Sequence, residues 1–101
     1  MKIDFQKFED EKAQIEAFLA QPEAYAAPDF AEKSRRLSEI NEILDLAQKI
    51  DQAKKNLAEA TELVEDAELG EMAREDVRVL GLNIDAWIAE LEEKLLPHDP
   101  A

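Results

Sequence analysis

Residues 37–64 read LSEINEILDLAQKIDQAKKNLAEATELV, and this stretch decides the fold. Apolar side chains recur every three or four positions, which places them on one face of an α-helix. The wider apolar series is Phe30, Leu37, Ile40, Leu44, Ala47, Ile50, Leu57, Ala60 and Val64. Since no glycine or proline interrupts it before Gly70, the sequence predicts one helix from Pro28 to Glu65, about 57 Å long at 1.5 Å per residue.

So long a helix needs a partner of similar length, because helices in water owe most of their stability to burial of an apolar face. The partner follows directly, with apolar residues again three or four apart: Ala73, Val77, Leu80, Ile84, Trp87, Leu91 and Leu95. This near-heptad spacing favours a left-handed antiparallel pairing. We predict the connecting turn at residues 65–68, Asp66 as the cap of the third helix, and Pro97 as its end.

A shorter helix precedes this pair. Phe5, Phe8, Ile15 and Leu19 line one face of a helix predicted from Asp4 to Ala20, with Asp4 as its N-cap. Pro22 and Pro28 mark the first turn, and Pro28 is predicted to open the second helix. The predicted fold is all-α: a three-helix antiparallel bundle dominated by a long coiled-coil-like helical hairpin. Residues 1–96 form its helical domain, and residues 97–101 begin a linker to further sequence.

The charge balance bears on partners and location. The chain has 25 acidic and 12 basic side chains, a formal charge of -13. Binding of a nucleic-acid backbone or an anionic membrane relies on basic side chains, so we expect neither from this domain alone. No stretch approaches the roughly 18 apolar residues of a spanning helix, and the N-terminus lacks a signal-peptide pattern. The predicted location is the cytoplasm.

No catalytic, cofactor or metal site is predicted. The chain has no cysteine, and its single histidine, His98, lies between prolines where no neighbour orients it as a base. The Glu-x-x-His pairs that hold metals in helical bundles are absent from the sequence. Gly81 costs its helix about 1 kcal/mol relative to alanine, which close helix approach or a slight bend would explain. The pattern offers no reason for Gly70.

Two basic clusters interrupt the acidic surface of the second helix. The first is Lys33, Arg35 and Arg36, and the second is Lys49, Lys54 and Lys55. With Glu68 at the predicted turn, these are the candidate contact residues. Two interpretations stay open: local contact with RNA or an acidic protein surface, or ordinary surface charge balanced by neighbours, as in the pairs Glu32–Arg36 and Asp51–Lys55. Tyr25, in the first turn, either docks a partner or covers the bundle end, and Trp87 is expected in the core.

Several short motifs follow one another in a fixed order. They are Gln21-Pro22-Glu23, Pro28-Asp29-Phe30, Leu57-Ala58-Glu59-Ala60, Glu65-Asp66-Ala67-Glu68-Leu69, Glu71-Met72-Ala73-Arg74-Glu75-Asp76 and Leu95-Leu96-Pro97-His98-Asp99-Pro100. Together they resemble the N-terminal helical domain of bacterial peptide chain release factors of the release factor 1 type. Ala67, where this family often has proline, and the two glycines depart from its pattern.

The resemblance implies an interaction domain of a class I translation termination factor acting at UAA and UAG codons. In that family, later domains read the stop codon and carry the Gly-Gly-Gln loop that promotes peptidyl-tRNA hydrolysis, so this domain alone is implied to be non-catalytic. The implied partners are the ribosome, at the large-subunit stalk base and GTPase-associated region, and the GTPase release factor. The alternatives are a free-standing coiled-coil adaptor or chaperone-like module without a ribosomal role, a tRNA-binding helical arm, and, weakest, a hydrolase.

Overall fold

The computed structural model describes residues 3–96, which form three α-helices and no strand. Helix α1 is Phe5–Leu19, α2 is Phe30–Glu62 and α3 is Gly70–Leu95, with one 3₁₀ turn at Ala24–Ala26 between α1 and α2. The predicted all-α, three-helix fold class is therefore confirmed. The chain divides into two compact units, Met1–Asp45 and Leu46–Ala101. The prediction that residues 97–101 begin a linker lies outside the described residues.

The ends of the helices differ from the predicted ones. Helix α2 begins at Phe30, because Pro28 lies in a turn that the Phe30 N–H closes onto the carbonyl of Ala27 at 3.2 Å. Helix α2 ends at Glu62. Beyond it, the backbone hydrogen bonds join residues three positions apart instead of four, as in the bond from the Leu63 N–H to the Ala60 carbonyl. Asp4 occupies the N-cap position of α1, but its side chain accepts no capping hydrogen bond.

In the first unit, α1 packs antiparallel to the first half of α2. Phe18, near the end of α1, lies beneath the ammonium of Lys33, whereas Phe8, near its start, lies beneath the guanidinium of Arg36. The buried apolar side chains of this unit are Ile15, Ala24, Ile40 and Ile43. Ile40 is completely buried. The predicted apolar face of α1 is present, with Ile15 at its centre and Phe5, Phe8 and Leu19 half-buried.

In the second unit, the remainder of α2 pairs antiparallel with α3. Its buried side chains are Leu46, Ile50, Ala53 and Ala60 from α2, and Ala73, Ile84 and Leu91 from α3. Of the predicted α3 series, Ala73, Ile84 and Leu91 are buried, and the other members are half-buried: Val77, Leu80, Trp87 and Leu95. The α2 series needs correction, because Leu44 and Ala47 are only half-buried while Ile43, Leu46 and Ala53, which we had not predicted, are buried. The spacing Leu46, Ile50, Ala53, Leu57, Ala60 is the heptad pattern that faces α3.

The turn between α2 and α3 is held by Asp66. Its Oδ1 accepts hydrogen bonds from the N–H groups of Glu68 and Leu69, each at 2.8 Å, and its carbonyl accepts one from Gly70 at 2.9 Å. A carboxylate that accepts N–H groups two and three residues ahead is the usual N-terminal capping arrangement. Asp66 thus caps the turn that precedes α3. The N-cap position of α3 itself is Leu69, so the prediction that Asp66 caps the third helix is wrong by three residues.

Gly70 is required by space, not by an unusual backbone angle. No described glycine has a positive φ, but a Cβ at Gly70 would lie 2.7 Å from the Val64 carbonyl oxygen. The same oxygen accepts a hydrogen bond from Nη1 of Arg74 at 3.0 Å, so the two chain segments are in close contact here. Gly81 is the opposite case, because a Cβ there would meet nothing within 4 Å. Close helix approach, one of our two explanations for Gly81, is therefore wrong.

The two glycines give a matched pair of stability predictions. Gly70→Ala is expected to lower the free energy of unfolding by roughly 1–3 kcal/mol, because the added methyl group presses on a backbone oxygen that cannot move aside cheaply. Gly81→Ala is expected to raise it by about 0.5–1 kcal/mol, because alanine favours the helix and has room. Urea unfolding followed by circular dichroism measures both. Equal effects of the two substitutions would contradict the close contact at Gly70.

Candidate interaction surface

The first basic cluster is largely engaged inside its own unit. Arg36 forms a two-pronged ion pair with Glu11 of α1, through Nε to Oε2 at 2.5 Å and Nη2 to Oε1 at 3.0 Å. Its Nη1 reaches Glu39 at 3.2 Å, and its guanidinium lies 5.9 Å from the ring centre of Phe8. The predicted pair Glu32–Arg36 does not form. Arg36 thus ties α1 to α2, and most of its hydrogen-bonding capacity is occupied.

The other members of this cluster border a cleft between α1 and the start of α2. Lys33 lies 4.0 Å from Asp29 and 5.7 Å from the ring centre of Phe18, whereas Arg35 is exposed and forms no ion pair within residues 3–96. The cleft has a volume of about 540 Å³ and is lined by Glu11, Gln14, Ile15, Asp29, Glu32, Lys33, Arg35, Arg36 and Glu39. Since its four carboxylates outnumber its three basic groups, this cleft does not favour phosphate.

The electrostatics of the Glu11–Arg36 pair follow from its geometry. The hydrogen bond from Arg36 holds the pKa of Glu11 below its ordinary value of 4.5, and the same bond raises the pKa of Arg36. The carboxylate is therefore stabilised in its charged form. Both side chains remain about one third exposed, at 34% and 38%, so solvent screening limits what the pair contributes.

The second basic cluster lies on the part of α2 that pairs with α3. The Lys49 ammonium stands 4.5 Å from the ring centre of Trp87, and Lys55 forms the predicted ion pair with Asp51 at 3.2 Å. Lys54 is exposed and forms no ion pair within the described part of the chain. Trp87, which we expected in the core, is half-buried, and Lys49 lies over its ring. Of the second cluster, Lys54 presents the most available charge.

The turn between α2 and α3 carries Glu68, the remaining candidate. Its side chain is exposed, and its backbone N–H is fixed by Asp66. The hydrogen bonds from Leu69 and Glu68 hold the pKa of Asp66 below its ordinary value of 3.8, which favours the charged form of this carboxylate. Exposed Leu63, Leu69 and Met72 lie beside these acidic groups. The turn is therefore acidic and apolar together, which suits a protein surface better than an RNA backbone.

Sequence reasoning missed the exposed apolar side chains. Large ones with at least two fifths of their surface exposed are Tyr25, Leu63, Leu69, Met72, Val79, Leu82 and Leu96. Tyr25 is 83% exposed and meets Phe30 at 5.3 Å between ring centres, so it does not cover the core. A second apolar series along α3 could have been noticed from its spacing alone.

Residues 3–96 offer neither a metal site nor a membrane span. No group of three or more acidic, histidine or cysteine side chains there is arranged to hold a metal ion. Within the same residues, none of the helices has the length and apolar content needed to cross a membrane.

Comparison with known proteins agrees with the order of the sequence motifs. Residues 8–101 match the family described as the PCRF domain. The chain belongs to this family. It is 34% identical over 100 residues to peptide chain release factor 1 of two Thermus thermophilus strains, and 29% identical over 101 residues to that of Methylibium petroleiphilum. These alignments cover 98–99% of the chain but 28% of each relative.

The family match confirms the resemblance to release factor 1. The chain spans a little over a quarter of the length of the curated relatives it matches. No solved structure matches the chain with significance. A PCRF domain in this structure is thus an all-α pair of units whose basic side chains are mostly occupied internally.

The Glu11–Arg36 pair predicts a specific acid sensitivity. Because the folded-state pKa of Glu11 is depressed, its contribution is present above its ordinary value of 4.5 and is lost as pH falls through the lower folded-state pKa. Glu11→Gln is expected to lower the free energy of unfolding by about 0.5–1 kcal/mol near neutral pH, and by progressively less as the pH falls below 4.5. Urea unfolding over a series of pH values from neutral into acid measures this decline.

The control for this test is Glu16→Gln, on the same helix. Glu16 is exposed and forms no ion pair within residues 3–96, so its substitution should change stability little at any pH of this series. If Glu11→Gln and Glu16→Gln behaved alike, the ion pair would not be what holds α1 against α2.

Proposed function

We propose that this chain is the N-terminal interaction domain of a peptide chain release factor that directs translation termination at UAA and UAG stop codons. It docks toward the GTPase-associated region at the stalk base of the large ribosomal subunit, cooperates with the GTPase release factor, and acts in the cytoplasm. It is non-catalytic alone and uses no cofactor. Residues 1–96 form the helical domain, and residues 97–101 begin the linker to the codon-reading and Gly-Gly-Gln domains.

The observation that carries this proposal is the PCRF match over residues 8–101, joined to relatives named peptide chain release factor 1. The match favours the termination role over a free-standing adaptor or chaperone-like module, for which no observation speaks.

The proposed contacts divide by chemistry. Arg35 and Lys54 are exposed and free of ion pairs within residues 3–96, so they are the cations most available to ribosomal RNA. The other four basic candidates already form ion pairs or cation–π contacts within their own unit, so their contribution to binding is secondary: Lys33, Arg36, Lys49 and Lys55. Glu68 lies on the acidic turn at one end of α3, a helix of 26 residues or about 39 Å. Its acidic and apolar character supports our proposal that this turn contacts a protein component.

Charge reversal at Lys54 tests the proposed RNA contact. In a full-length factor that contains this chain, Lys54→Glu is expected to weaken binding to stop-codon-programmed ribosomes several-fold. It should also lower the slope of log K against log salt by about 1, because one phosphate contact is lost. Filter binding at several salt concentrations measures both quantities. Arg35→Glu should act in the same direction.

The matched control is Lys7→Glu, which makes the same charge change at an exposed lysine outside the proposed contacts. If Lys7→Glu weakened binding as much as Lys54→Glu, the effect would reflect overall charge, and Lys54 would no longer be a proposed RNA contact.

A second measurement tests the non-catalytic role. The 101-residue chain alone should release no formylmethionine from ribosomal termination complexes, and measurable release would overturn that part of the proposal.

A further inference from the structure

Helix α3 has a second apolar face, on the side away from its buried one. The buried face contains Ala73, Ile84 and Leu91. The second is formed by exposed residues and is termed the outer face: Met72, Val79, Leu82, Ala86 and Ala89. At 100° per residue, these positions lie on the opposite side of the helix from Ile84.

The large side chains of the outer face are well exposed. Met72 and Leu82 expose 61% and 58% of their surface, and Val79 exposes 40%. The spacings from Met72 to Ala89 are 7, 3, 4 and 3 residues, which follow a heptad pattern in which Glu75 occupies the position between Met72 and Val79. Ala86 and Ala89 are small enough for another helix to approach closely. The outer face therefore has the spacing of a helix-packing seam and is left open by residues 3–96.

Acidic side chains lie both on the outer face and beside it. Glu75 and Glu93 lie at its centre, and Glu71 and Glu90 lie at the angular positions of Ala89 and Met72. Asp76 and Asp85 lie beside the face, and all six acidic side chains are exposed. The basic group nearest the middle of the face, Arg78, is already paired with Glu75 at 2.6 Å. An occupant must therefore supply positive charge among its apolar side chains as well as at their edges.

We propose that the outer face of α3 binds an amphipathic helix of a positively charged protein. The spacing of the apolar residues and the two alanines favour a helix over an extended segment, and the acidic side chains on and beside the face favour lysine and arginine among and beside the apolar side chains of that helix. The same acidic side chains repel phosphates, which disfavours RNA and anionic lipid at this face. A second copy is disfavoured, because two chains of charge -13 would bring like-charged faces together. This binding site goes beyond the ribosomal role and does not depend on it.

A synthetic peptide provides a defined test. The probe is a three-heptad helical peptide with leucine at its apolar positions and lysine beside them, titrated into the 101-residue chain by calorimetry. The chain should bind this peptide, and Val79→Gln with Leu82→Gln should weaken binding about tenfold or more, because two exposed apolar contacts are removed without any change of charge. A peptide with glutamate in place of lysine should not bind.

Matched controls distinguish binding at the outer face from nonspecific hydrophobic binding and from loss of binding through misfolding. Tyr25→Gln with Leu63→Gln removes two other exposed apolar side chains and should leave peptide binding unchanged. Thermal unfolding should show that both double variants fold. Equal binding by the two variants would overturn the proposal, since the attraction would then be general charge. A dimer of the unmodified chain in sedimentation that Val79→Gln with Leu82→Gln dissociates would overturn it too, because the occupant would be a second copy.

Discussion

A narrow apolar seam must hold together helices that repel each other. Between residues 46 and 96 the chain carries 13 acidic and 6 basic side chains, yet α2 and α3 pair over this stretch. The seam changes along its length. Large side chains such as Ile50, Ile84 and Leu91 fill the part away from the turn, whereas Ala60, Gly70 and Ala73 line the part beside it. Small residues let the backbones approach, which is why the methyl group of an alanine has no place at Gly70.

Where apolar burial is thin, hydrogen bonds fix the geometry. The turn end of the second unit depends on Asp66, which binds two N–H groups, and on Arg74, which binds the Val64 carbonyl. In the first unit, Arg36 of α2 donates two hydrogen bonds to the carboxylate of Glu11 on α1. Structural use of these charged groups has a functional cost, because a guanidinium with its donors satisfied offers less to an outside partner. The accessible surface is consequently left to apolar and acidic groups with a few free cations.

How far the sequence predicted this molecule depended on whether the deciding contact was local. The heptad spacing of Ala73, Ile84 and Leu91 identified the buried face of α3, because one helix period suffices to align them. Along α2, two overlapping apolar series compete. The series through Leu46, Ile50 and Ala53 is selected by the presence of α3, so the spacing alone missed Leu46 and Ala53.

Among the candidate contact residues, local ion pairs were likewise easier to predict than pairs formed by tertiary packing. Asp51–Lys55 is four residues apart and was predicted, whereas Arg36 leaves its helical neighbour Glu32 for Glu11, 25 positions earlier in the chain. Lys49 likewise meets Trp87 through tertiary pairing. Gly70 had no explanation until its neighbour across the turn was visible. The order of short motifs nevertheless identified the family, because it depends on the chain itself and not on long-range contacts.

Trp87 gives the molecule a built-in optical reporter. It is the single tryptophan of the chain, half-buried on α3, with an ammonium 4.5 Å from its ring centre. All tryptophan emission therefore originates at one point, between the packed side of α3 and a charge that shifts the energy of the excited ring. Movement of the Lys49 ammonium away from the ring would therefore change the wavelength or the intensity of the fluorescence, and this change can be measured without a label and without a substitution.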